Sequence, residues 1–149
     1  MSRVKALWMM AALLLAAAAA ADEPGSQVSG NREVHYSIVP TGFLQAEVAS
    51  AYRITRSADR ALLTIAVTRR DAPYSGSVPA KVSGTRSNLI DTQVIDFRML
   101  HEYNSTSYLG EVPLNREKWF YEIDVMPEGE TALAKPIHLH LEKIFDTQP

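Results

Sequence analysis

Alternation of apolar and polar positions dominates the chain from residue 32 onward. Val34, Tyr36 and Ile38 alternate with His35 and Ser37, the two-residue period of a half-buried strand, and Pro40-Thr41-Gly42 ends the run. Leu62 to Thr68 is the clearest buried strand, with Leu63, Ile65 and Val67 on one face and Leu62, Thr64 and Ala66 on the other. Val78 to Val82 is a weaker pattern, because Pro79 restricts it to a sheet edge or a strand start. Gln93 to Tyr103 reads as one long strand with Ile95, Phe97 and Met99 inward. Thr106 to Val112 places Tyr108 and Val112 together. Trp119, Tyr121, Ile123 and Val125 form the most regular alternation, and Ile137, Leu139 and Leu141 alternate with His138, His140 and Glu142. Seven short strands with turn residues between them predict an all-β fold, and at this size an immunoglobulin-like β-sandwich. Without cysteines, an antibody-type domain is not indicated.

One segment breaks the two-residue period. Within residues 43–52, Leu44, Val48, Ala51 and Tyr52 fall at helical spacing, and Thr41 or Gly42 could open a helix. This predicts one or two helical turns crossing the end of the sandwich. Phe120 lies between Trp119 and Tyr121 and must face the other way, under a loop in the simplest arrangement.

The N-terminus has a different character. Arg3 and Lys5 precede an apolar run from Ala6 to Ala21 that closes on Ala19-Ala20-Ala21, and Asp22-Glu23-Pro24-Gly25 follows. Positive start, apolar centre and small-residue end, in that order, describe a cleavable secretory signal over residues 1–21. The run is too weakly apolar in its alanine half for a stable span, and no later segment approaches one. Residues 22–31 are polar and glycine-containing and read as a flexible lead-in, which leaves 32–149 as one domain. Loss of Arg3 and Lys5 with the signal takes Lys plus Arg from 15 to 13 against 17 Asp plus Glu, so the net charge of −2 becomes −4. With no basic patch, nucleic acid is excluded as the expected partner. No cysteine is available for a disulfide, a lipid anchor or a thiol nucleophile.

His35-Tyr36, Phe43-Leu44, Val48-Ala49, Ala51-Tyr52, Ile54, Arg56-Ser57, Arg60-Ala61-Leu62 and Ile65-Ala66-Val67 follow one another closely. Together they resemble a family of small exported Gram-negative proteins, domain of unknown function 4426. Lys81-Val82-Ser83-Gly84 and Pro127-Glu128-Gly129 are similar too. The resemblance implies a periplasmic location. It carries no catalytic residues.

Candidate chemistry is sparse. His138 and His140 share one strand face and could hold Zn²⁺ or Cu²⁺, with Glu142 continuing the face; a solvent-facing polar row is the plainer explanation. His101-Glu102 begins a zinc-peptidase-like motif, but Ser105 stands where the second histidine belongs. No Gly-x-Ser-x-Gly elbow and no glycine-rich phosphate loop occur. Asp91/Asp96 and Asp124/Glu128 are carboxylate pairs of unspecified separation. Tyr52, Arg53, Arg56 and Arg60 cluster after the helical segment and form the candidate binding surface for an acidic partner, against the simpler reading of a polar turn. The expectation is a non-enzymatic periplasmic binding module with no cofactor, whose partner is an envelope protein. A metal-binding protein using His138 and His140, or a hydrolase with an unrecognised site, are the alternatives.

Overall fold

A computed structural model describes residues 25–129 and 135–144. The expected signal segment, residues 1–21, lies outside them. Among the described residues, ten strands form two antiparallel sheets: β1 (Gly25–Ser29), β2 (Arg32–Pro40), β3 (Arg60–Arg69), β4 (Ser77–Val78), β5 (Ala80–Ser87), β6 (Thr92–Val94), β7 (Phe97–Glu102), β8 (Ser105–Pro113), β9 (Lys118–Pro127) and β10 (Ile137–Ile144). Sheet A runs β1-β2-β3-β8-β7, with β4 beside the end of β3, and sheet B runs β10-β9-β5-β6. The all-β sandwich expected from the alternation is what forms.

The core follows from that alternation. Val34, Ile65, Val67, Tyr121, Ile123, Val125 and Leu139 are all fully out of solvent between the sheets, and Trp119 is nearly so. Their apolar area drives the two sheets together.

Three further strands appear where the sequence showed seven. Residues 25–29, read as part of a flexible lead-in, pair with β2 from Gly25↔Tyr36 to Ser29↔Arg32. Pro79 does not sit inside a strand. It separates β4 in sheet A from β5 in sheet B, where its missing N–H costs no ladder bond. The long Gln93–Tyr103 strand is divided at Ile95-Asp96, where the chain leaves sheet B as β6 and enters sheet A as β7. Ile95 stays buried at the crossing, but Met99, expected inward, is 63% exposed, because β7 is the last strand of its sheet. Gly110 on β8 makes room for the crossing: a Cβ there would stand 2.7 Å from Ile95 Cγ2.

The helical segment is also placed differently. Thr41–Phe43 forms a 3-10 turn and Ala46–Ala51 forms the short helix α1. The helix lies on the outer face of sheet A, not across the end of the sandwich. Leu44, Val48, Ala49, Tyr52 and Ile54 pack on Val39, Leu62 and Leu109, which point away from the main core. Six residues cannot sustain a helix alone, so this second core holds it. It also explains why β3 is apolar on both faces.

Candidate functional site

The chain leaves α1 through a tight cap. Ile54 N–H donates to Ala49 O at 2.8 Å and Arg53 N–H to Ser50 O at 3.2 Å, and Ile54 closes the turn against the second core. Arg53 occupies the left-handed position of this cap, at φ 55°, where glycine is the usual residue. Its side chain is exposed. Arg56 Nη2 donates to Gly42 O at 3.2 Å. Arg60 Nη1 pairs with Glu111 Oε2 at 2.9 Å beside a crevice of about 220 Å³ between Asp59-Arg60 and Glu111-Val112-Pro113. Thr41 secures the loop from the other side: its hydroxyl accepts from Ser57 N–H at 3.0 Å and donates to Ser57 O at 3.2 Å.

Tyr52 differs from its three arginine companions. It is 3% exposed, and its ring belongs to the second core. Its hydroxyl donates to Glu102 Oε2 at 3.2 Å. Burial, then the Glu102 charge, pushes its pKa up to about 12. Arg98 Nη2 donates to the Tyr52 carbonyl, so this residue joins α1 to β7. Phe43, by contrast, is 67% exposed.

The histidine row stands on the outer face of sheet B. β10 pairs with β9 so that His138 lies opposite Asp124 and His140 opposite Glu122. His138 Nδ1 meets Asp124 Oδ1 at 2.8 Å and its Nε2 meets Glu122 Oε2 at 2.6 Å, while His140 Nδ1 bonds the other Glu122 oxygen. Hydrogen bonding to Asp124 and then Glu122 raises the His138 pKa, and the bond from His140 leads those that lower Glu122. Glu122 thus bridges the two imidazoles, and Asp124 flanks His138 on its other side. Among the described residues no three such side chains converge to hold a metal ion. Phe120 is not under a loop: it shares this face, with its ring 6.1 Å from that of His140 and Lys118 Nζ 5.8 Å from its centroid. Glu142 pairs with Lys118 at 2.5 Å.

Other histidines are occupied by threonines: His35 bonds Thr68 and His101 bonds Thr106, each at 2.9 Å. Asp91 Oδ2 accepts from Gln93 Nε2 at 2.8 Å. These contacts give no hydroxyl aligned between a base and an orienting acid.

Two features escaped the sequence reading. Arg86 on β5 is 2% exposed, with its guanidinium 3.9 Å from the Trp119 ring centroid. Gln93 Oε1 accepts from its Nε and Nη2 at 2.9 and 2.6 Å, and Pro113 O accepts from Nη1 at 2.7 Å. The other is the β5–β6 turn. Asn88 Oδ1 accepts from the N–H groups of Ile90 and Asp91 at 3.2 and 2.8 Å, an Asx turn that stiffens the loop. Leu89 takes a positive φ of 75°. Leu89 and Ile90 are 94% and 93% exposed. The apolar run Leu89-Ile90 beside Asn88 was the only signal of this tip, and no period marked it.

The sandwich and its unallied surface features define a β-sandwich class without a recognisable catalytic centre among the described residues. Within that class the chain belongs to the family described as domain of unknown function (DUF4426), whose model matches residues 26–145. It is similar to a crystal structure of a DUF4426 family protein from Pseudomonas aeruginosa PAO1, at 27% identity and a TM-score of 0.66, over 83% of this chain and 96% of that one. No curated protein matches the chain.

Proposed function

We propose that this chain is an exported periplasmic binding module, without enzymatic activity, that docks on a protein of the cell envelope. The observation that carries the reading is the Leu89-Ile90 tip. Two adjacent aliphatic side chains stand almost wholly in water on a turn held by Asn88. Leu89 adopts a backbone conformation that disfavours side chains. Strain of this kind persists where the surrounding structure enforces it, and it gathers at ligand clamps and recognition loops. An apolar pocket on a partner is the chemistry such a tip fits. The secretory signal supports the periplasmic location.

Arg53 gives the module a second candidate contact: an exposed cation on a rigid cap, suited to an acidic group. Arg56 and Arg60 extend the charge, each already fixed by a local bond. Tyr52 supports this surface from beneath. The experiment is recovery of cross-linked partners from envelope with the mature protein and its Leu89→Ser/Ile90→Ser variant. The reading expects the variant to keep its melting temperature and lose the partner. Equal recovery by both proteins contradicts it.

A further inference from the structure

We propose that two copies of this chain pair through their β7 strands, edge to edge and antiparallel, to join two A sheets into one. The four sheet edges are unequal. β1 has five residues and β6 three. β10 is blunted in two ways: Gln27 Nε2 donates to its His138 carbonyl at 2.9 Å, and Lys143 continues the core-facing row of Ile137, Leu139 and Leu141. An inward-pointing charge on an edge strand discourages a further strand. β7 is six residues long and, among the described strands, pairs with β8 alone.

Its sequence is complementary to itself. In an antiparallel pair centred on Leu100, Leu100 faces Leu100 of the second copy, and Arg98 faces Glu102 at both ends. The two charges are two residues either side of Leu100, so all three share one face. That is the face of the second core, where Leu100 already packs and Tyr52 contacts both neighbours. Arg98 retains donors beyond its bond to the Tyr52 carbonyl, and Glu102 retains its second oxygen. On the opposite face, Met99 would meet His101 of the second copy, covering the most exposed apolar side chain of β7. A two-fold axis requires such reciprocity: residue i touches j, and j touches i. Opposite charges directly across antiparallel strands stabilise the pair and like charges oppose it.

Sedimentation of the mature protein over a concentration series tests the proposal, together with a charge exchange. Arg98→Glu alone and Glu102→Arg alone each place like charges across the axis, and each should weaken dimerisation about tenfold or more. The double variant Arg98→Glu/Glu102→Arg should restore it. Circular dichroism checks that each variant folds. The chain has no cysteine, so Leu100→Cys gives a single thiol that should cross-link to itself under mild oxidation, whereas Val94→Cys, at an exposed position on β6, should not. A monomer at every concentration overturns the proposal. So does a dimer that cross-links equally from both positions, or one that is indifferent to the charge exchange.

Discussion

Among the described residues Arg86 is the largest side chain that the fold removes from solvent, and its charge is met by neutral oxygens and an indole face. A buried donor left without a partner costs more than the bond itself contributes. Gln93→Leu should therefore destabilise by about 1–3 kcal/mol or more, since two guanidinium bonds lose their acceptor. The double variant Arg86→Met/Gln93→Leu should be closer to wild type, because it removes the need along with the partner. Urea melts of the three proteins decide this, and a double variant worse than the single one refutes it. At the outer face of sheet B, His138 should titrate above the ordinary histidine value of about 6.5, held up by Asp124 and Glu122. A raised folded value means that its contribution to stability is full below the ordinary value and fades as pH climbs through the folded one. Glu122 has the opposite sign: its contribution is present above the usual carboxylate range and fades as pH falls through its lowered value. Proton NMR of the imidazole should show the His138 midpoint fall in Asp124→Asn, and an unchanged midpoint contradicts the assignment. The strand face of His138 and His140 was legible from alternation. Their carboxylate partners were not, because Glu122 and Asp124 reach them through a cross-strand register that spacing along one strand does not contain.

At the scale of elements, what period two could reveal was revealed: Ile65, Val67, Trp119 and Ile123 are buried as the alternation requires. What it could not reveal were changes of sheet. Pro79 and the Ile95-Asp96 crossing keep a strand-like sequence while the hydrogen-bonding partner changes. The helix spacing of Leu44, Val48 and Tyr52 was readable, but its destination was not, since that depends on Leu62 and Leu109 facing outward from different strands. Leu62→Ala should cost about 2–5 kcal/mol, as for a buried core leucine, although it lies outside the main sandwich core. Thermal or urea melts read this, and a shift no larger than that of an exposed control would mean that α1 does not form a second core. Arg53→Glu should leave the melting temperature unchanged, because its exposed side chain is not used in the cap, and should lower partner recovery if the exit loop contacts an acidic group.

For the whole molecule, the fold matches the Pseudomonas aeruginosa structure over 83% of the chain, and the family model spans residues 26–145. The proposed export rests on the first twenty-one residues. N-terminal sequencing of protein recovered from the periplasm should begin at Asp22 or within a residue or two, and an uncleaved chain held in the inner membrane would refute the signal. Recognition by surface contact is the central claim, and site-directed photocross-linking in intact cells tests it most directly. A photoreactive residue at position 89 should give a discrete cross-linked envelope protein, while the same residue in place of Tyr74, which is 98% exposed on another loop, should not. No adduct at position 89, or the same adducts from both positions, would contradict the account.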